Sequence, residues 1–172
     1  MAKEFPPAKV REVVGEVAAL LKERKETVSV AETAAGGIIS ASLLSTPGAS
    51  GFYKGGLTVQ SLLSQLTAYY LTDFLYASST QRNLVYNSPA GRMNISSPIK
   101  DPRPTFGTAG PTGGNTPNRT PGYVALAVAT ESGTYKRELS TGLGDDREAN
   151  MIAFAVEALG LLRDVIKGDV KL

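Results

Sequence analysis

No histidine, cysteine or tryptophan occurs among the 172 residues of this chain. Without histidine there is no Ser-His-Asp or Cys-His machinery and no imidazole metal ligand. Without cysteine there is no disulfide, thiolate nucleophile or zinc–thiolate centre. Charge of either sign is modest: 18 Lys and Arg against 16 Asp and Glu leave a net +2, too little to expect nucleic acid or an anionic membrane as partner. No apolar run approaches the roughly 20 residues of a membrane helix. The opening MAKEFPPAKVREVV lacks a secretory hydrophobic region, so a cytoplasmic location is expected. What the chain does have is 42% hydrophobic residues and 18 glycines. That suffices for one packed domain over 1–172, with no metal and no cofactor expected.

The two ends of the chain are strongly patterned. Residues 8–25 predict an amphipathic helix after Pro6 and Pro7, with Val10, Val13, Val14, Val17, Leu20 and Leu21 at three- and four-residue spacing. Thr27–Ala31 is β-branched and alternating, hence a strand, and runs through Glu32-Thr33-Ala34-Ala35-Gly36-Gly37 into a short helix that Pro47-Gly48 ends. Phe52–Gln60 predicts a second strand, weakened by Gly55-Gly56. Further on, Tyr123–Thr130 is apolar on both faces and predicts a strand inside a covered sheet. Glu131-Ser132-Gly133 turns the chain into Thr134–Leu139, polar enough for a strand nearer an edge. A last helix begins near Asp145-Asp146, with Ile152, Ala155, Val156, Leu159, Leu162 and Ile166 as its apolar stripe. This order predicts a layered α/β fold.

The middle is different. From Gly55 to Lys100 the only charged residues are Asp73, Arg82, Arg92 and Lys100. Leu62, Leu66, Tyr70 and Phe74 fit a helix through 61–75, and no period follows. Pro98, Pro102 and Pro104 exclude a central strand just before Phe106, because each removes a ladder donor. Residues 66–106 are therefore anomalous for a compact domain.

Two places are candidates for chemistry. A strand that ends in Glu32-Thr33 and enters a helix through Ala35, Gly36 and Gly37 presents backbone N–H groups that can hold a phosphate or an oxyanion beside the Thr33 hydroxyl. The plainer alternative is that Thr33 caps the helix. The second place is Gly107-Thr108-Ala109-Gly110-Pro111-Thr112-Gly113-Gly114, whose four glycines permit close approach to a ligand, or simply a surface turn. No Gly-Lys-Ser/Thr follows, so it is not a P-loop.

These blocks together resemble the C-terminal domain family of competence/damage-inducible protein CinA, which includes the nicotinamide-nucleotide amidohydrolases (NMN deamidases). Ala31–Gly37 is similar to the family's Ala-Glu-Ser-x-Thr-Gly-Gly block. Pro47–Ser50 with Tyr53–Gly56 is similar to its Gly-Ser-Ser…Phe-x-x-Gly segment. Thr108–Gly114, followed by Arg119 and Gly122–Val124, is similar to Ile-Ala-Gly-Pro-x-Gly-Gly, and Asp146-Arg147-Glu148-Ala149 to Gly-Asp-Arg-x-Ala. The likeness spans about 8–65 and 107–168. It implies a mixed sheet in a layered α/β domain, with a surface helix and a buried strand where this chain has the anomalous 66–106, so one core strand is expected to be missing or replaced. Translated intron sequence and genuine divergence both account for such an interruption.

The resemblance implies a serine nucleophile, a lysine base and an assisting tyrosine. Here those positions hold Thr33, Gln65 and Gln60. An amide takes up no proton, and a missing general base costs on the order of 10²- to 10⁴-fold in rate. Lys54 and Glu32 are the remaining bases near in sequence. Weak or absent amide hydrolysis is therefore expected, with a non-catalytic nucleotide- or partner-binding protein as the alternative. By the same resemblance Arg119 and Arg147 are candidate phosphate partners, a pyridine nucleotide such as NMN is the expected ligand, and a homo-oligomer is expected.

Overall fold

Pro7 stands immediately before the first helix, where a missing N–H costs nothing. That helix, α1 (Ala8–Arg24), buries Val10, Val14, Val17, Ala18 and Leu21, and ends at Lys25 in the left-handed conformation. A computed structural model describes residues 4–58, 83–87, 108–114, 119–130 and 132–170. Strand β1 (Val28–Glu32) follows, then α2 (Ile38–Leu44), a 3₁₀ turn at Ala49–Gly51 and β2 (Tyr53–Thr58). Next come β3 (Asn83–Asn87), β4 (Tyr123–Thr130), β5 (Gly133–Ser140) and α3 (Arg147–Lys167). Asp146 caps α3, its carboxylate accepting the Ala149 N–H at 3.0 Å, and Gly168 closes the helix at positive φ.

The sheet is mixed, in the order β2-β1-β3-β4-β5. β1 lies parallel to both β2 and β3, whereas β3–β4 and β4–β5 are antiparallel. The layered α/β architecture read from the sequence is therefore present. One position differs from expectation: the middle of the sheet is filled by β3, a segment in which no strand period was read. Its centre, Leu84-Val85-Tyr86, is made largely of strand-favouring residues, and pairing with β1 and β4 places it. The helix expected at 61–75 and the prolines at 98, 102 and 104 lie outside the described residues.

The three α-helices of the described residues share one core with one face of the sheet. Val28, Val30, Val124, Leu126 and Val128 meet Phe154, Leu159, Leu161 and Leu162 of α3 and the apolar stripe of α1. The opposite face carries small buried residues, Ser29, Ala31, Ala125, Ala127 and Ala129. Among the described residues, no helix is long and apolar enough to cross a membrane.

Ion pairs tie β5 and α1 to α3. Arg137 reaches Asp164 at 3.0 Å and Glu157 at 3.6 Å, and Arg163 joins Asp164 to Glu16. Burial alone would raise the Asp164 pKa, but hydrogen bonds from Arg137 and Arg163 outweigh it and hold the carboxyl below its ordinary value. A folded-state pKa below the unfolded one contributes stability above about pH 4, and that contribution fades as pH falls through the lower folded value. Urea unfolding between about pH 5 and pH 3 is expected to show this loss. Asp164→Asn should flatten that part of the profile.

Candidate functional site

β1 delivers Glu32 to the start of α2 with its side chain fully buried. The Ile39 N–H donates to its Oε2 at 3.2 Å, while the Ser40 N–H (3.0 Å) and Ser40 Oγ (2.6 Å) donate to its Oε1. Three donors converging on one carboxylate make Glu32 the cap of α2, as carboxylates at helix N-termini commonly are. The Ile39 and Ser40 N–H groups are thus spent inside the protein, and of the expected donors at Ala35, Gly36 and Gly37 the Gly36 N–H bonds the Thr33 carbonyl at 3.0 Å. Position N-cap belongs to Gly37, at φ 98°, and no side chain of that residue is there to bond.

The network continues to β2. Ser40 Oγ, the donor to Glu32, and the Tyr53 hydroxyl both border Gly56. Burial raises the Tyr53 pKa, the nearby Glu32 charge adds to this, and the Ser40 hydrogen bond opposes it. Gly56 explains the weakness read into β2. A Cβ there would lie on the Tyr53 hydroxyl, 2.7 Å from Ser40 Oγ and 3.1 Å from the Val30 carbonyl oxygen. Gly56→Ala is expected to displace the phenol and cost about 2 kcal/mol, as overpacking of a tight site does. Its check is the shift in denaturation midpoint; an unchanged midpoint would show that the close approach is not required.

Thr33 follows β1 directly, is buried at 6% exposure, and its carbonyl accepts the Gly36 N–H at 3.0 Å. Ala35 is fully buried, and Gly36 is exposed at φ 66°. A Cβ on Gly36 would come within 2.5 Å of Met151 Cε, so this loop rests on the first turns of α3. The Gly-rich loop is held by the same turns. Asn150, itself fully buried, donates through Nδ2 to the carbonyls of Ala109 and Gly144, each at 2.9 Å, and its Oδ1 accepts from the Thr141 hydroxyl. Arg147 Nη1 donates to the Gly110 carbonyl at 2.9 Å. Thr108 bridges to Tyr123 at the head of β4. The two places singled out in the sequence are thus joined through α3.

The glycines of the second loop serve the loop itself. Gly110 has φ 93°, and a Cβ on it would lie 3.2–3.4 Å from Pro121 and Asp145. Gly113 and Gly114 give room to Arg119: a Cβ on the first would lie 2.6 Å from its carbonyl oxygen, and on the second 2.8 Å from its Nε. Gly114 N–H also donates to the Arg119 carbonyl at 2.9 Å. Arg119 and Arg147 are exposed residues, and Arg147 spends one N–H on the loop.

Neither alternative base is placed to serve Thr33. Glu32 holds α2 with both carboxylate oxygens. Lys54 is exposed and lies opposite Val28 and Ser29 in the β1–β2 register, at the far end of the strand from Thr33. Four to five residues of strand amount to roughly 15 Å, beyond a lysine's reach. Gln60, Gln65 and Gly107 lie outside the described residues. Among the described residues no group of three or more metal-ligating side chains could hold an ion. Asn150 escaped the sequence reading, although a signal was present: it sits four residues before Phe154, on the core-facing stripe of α3, where a polar side chain demands internal partners.

Residues 10–65 match a family model described as CinA C-terminal domain. The chain is 30% identical over 155 residues to a CinA-like protein of Amoebophilus asiaticus, covering 88% of this chain and 36% of that protein. It is also 30% identical over 159 residues to one of a Sulfurihydrogenibium species, covering 88% and 38%. It therefore spans little more than a third of the length of these curated relatives. Among solved structures, the competence/damage inducible protein CihA of Agrobacterium tumefaciens superposes with TM-score 0.72 at 19% identity, over 96% of this chain and 99% of that one. A competence or damage-inducible protein of Enterobacter asburiae gives 0.70 at 18% identity, over 91% and 98%. At such identities these structures bear on the fold alone.

Proposed function

For a chain that belongs to the CinA C-terminal domain family, we propose a nucleotide-binding role from which amide hydrolysis has been largely or wholly lost. The ligand is a pyridine nucleotide such as NMN, the substrate of the family's deamidases. The observation that carries this reading is the commitment of Glu32 to the start of α2, with Lys54 at the opposite end of β1. A threonine hydroxyl becomes a nucleophile only when a base takes its proton. With glutamine at the family's lysine and tyrosine positions, Gln65 and Gln60, neither residue close in sequence fills that place.

The ligand loops, in contrast, are kept and anchored. Ala35–Gly37 and Thr108–Gly114 both rest on the first turns of α3, with the Gly110 carbonyl fixed by Arg147 and the Ala109 carbonyl by Asn150. Calorimetric titration with NMN is expected to give saturable heat with the full chain and nearly the same affinity with Thr33→Ala. An absence of binding by the folded chain would overturn the nucleotide-binding reading.

A further inference from the structure

Met151, the one methionine among the described residues, stands in the second turn of α3. It is half-buried and packed against the core, and its terminal methyl fills the space that a Cβ on Gly36 would need. Gly36 donates its N–H to the Thr33 carbonyl at 3.0 Å, so that methyl lies against the turn carrying Thr33. Arg147 stands four residues earlier, exposed, with Nη1 on the Gly110 carbonyl. Side chains four apart lie one above the other on a helix face, with roughly 5–6 Å between Cβ atoms. One face of α3 thus sets a guanidinium and a thioether side by side, each against a different one of the two loops.

We infer that Met151 is the ring-contacting residue of the nucleotide site, its thioether meeting the pyridine ring while Arg147 stands toward the phosphate. This rests on the nucleotide-binding reading above and assigns one part of that ligand to one side chain. A phosphate needs N–H donors or cations, and the end of a methionine offers neither. What it offers is polarisable apolar surface, which favours contact with an aromatic ring.

Position agrees with chemistry. The carboxamide that the resemblance sets beside position 33 is carried on the ring itself, so a ring at Thr33 also lies at Gly36 and Met151. One ribose separates the ring of NMN from its phosphate, and one turn of α3, about 5.4 Å, separates Met151 from Arg147. Three rotatable bonds let the thioether settle on a ring without any movement of the helix. Gly36, having no side chain, leaves that end of Met151 room to reach the loop.

The test is calorimetric titration of the full chain with NMN and with ribose 5-phosphate, which lacks the ring, each variant being checked for folding by circular dichroism. Met151→Gln keeps the length of the side chain but makes its end polar, and should weaken NMN about five- to tenfold. Ribose 5-phosphate should bind that variant as it binds the original chain. Met151→Ala should repeat this division, so the result does not hang on the folding of one variant. Met151→Leu restores an apolar end and should hold NMN within about threefold of the original. Exchange of the Gly36 N–H reports on the loop itself and should be unchanged in Met151→Gln. Equal weakening of both ligands, or faster Gly36 exchange accompanying the loss of NMN, would make Met151 a support of the loop and overturn the inference. NMN affinity unchanged in Met151→Gln and Met151→Ala would overturn it too. A folded original chain that binds no NMN is a separate result, since it removes the nucleotide-binding reading and this inference with it.

Discussion

Asn150→Ala is expected to destabilise the protein by about 3 kcal/mol, a fall in melting temperature of roughly 6–12 °C for a chain of this size. The side chain is fully buried and serves three separate segments: the Ala109 carbonyl, the Gly144 carbonyl and the Thr141 hydroxyl. Truncation leaves the Ala109 carbonyl, in a buried hydrogen bond, and the Gly144 carbonyl, in a part-buried one, without their donor, and a lost buried partner costs about 1–3 kcal/mol. Asn150→Asp separates hydrogen bonding from volume. The carboxylate keeps the acceptor for Thr141 but sets oxygen against the two carbonyls, so it should be as damaging at neutral pH as the alanine. If Asn150→Asp were neutral and Asn150→Ala costly, the side chain would act by filling space. Amide exchange adds a local readout: the Gly122 N–H, which donates to the Thr108 carbonyl at 2.7 Å, should lose protection in both variants.

Glu32→Gln is the second large effect, about 3 kcal/mol, from a change of one atom. Hydrogen bonds to a charged acceptor contribute roughly 1.5–3 kcal/mol, and Glu32 accepts from two backbone N–H groups through two different oxygens. An amide presents one oxygen and one NH₂, so one of the Ile39 and Ser40 N–H groups must then face a donor. The start of α2 loosens, and with it the turn from Thr33 to Gly37. Thermal unfolding checks this directly. A Glu32→Gln protein as stable as the original would mean that the carboxylate is held for another purpose, and a base for Thr33 would be the first to consider.

Much of the fold follows from local pattern. α1 and α3 show helical periods, β4 is a continuous apolar run and β5 its polar return strand, and the caps at Pro7 and Asp146 lie where the sequence places them. β3 does not show itself because Asn83–Asn87 is short, begins and ends in asparagine, and owes its place to pairing with β1 on one side and β4 on the other. The site divides in the same way. The strand–loop–helix at Glu32–Gly37 and the loop at Thr108–Gly114 are visible as glycine clusters. What they do was harder to read, since the Cβ-free positions at Gly56, Gly113 and Gly114 accommodate Tyr53 and Arg119 from elsewhere in the chain. Glu32 is a structural carboxylate, bonded to the N–H groups of Ile39 and Ser40 in the first turn of α2. Thr33 precedes the N-cap position of α2, which Gly37 occupies.

The central proposal is that the fold is kept while amide hydrolysis is largely or wholly lost, with Gln65 and Gln60 at the family's lysine and tyrosine positions. It is tested by ammonia release from NMN, followed to completion with the full, folded chain and with Thr33→Ala in parallel. Equal release from the two proteins, at or near the rate of NMN alone, is the predicted result. Release by the original chain that disappears in Thr33→Ala would contradict the account and establish a working threonine nucleophile.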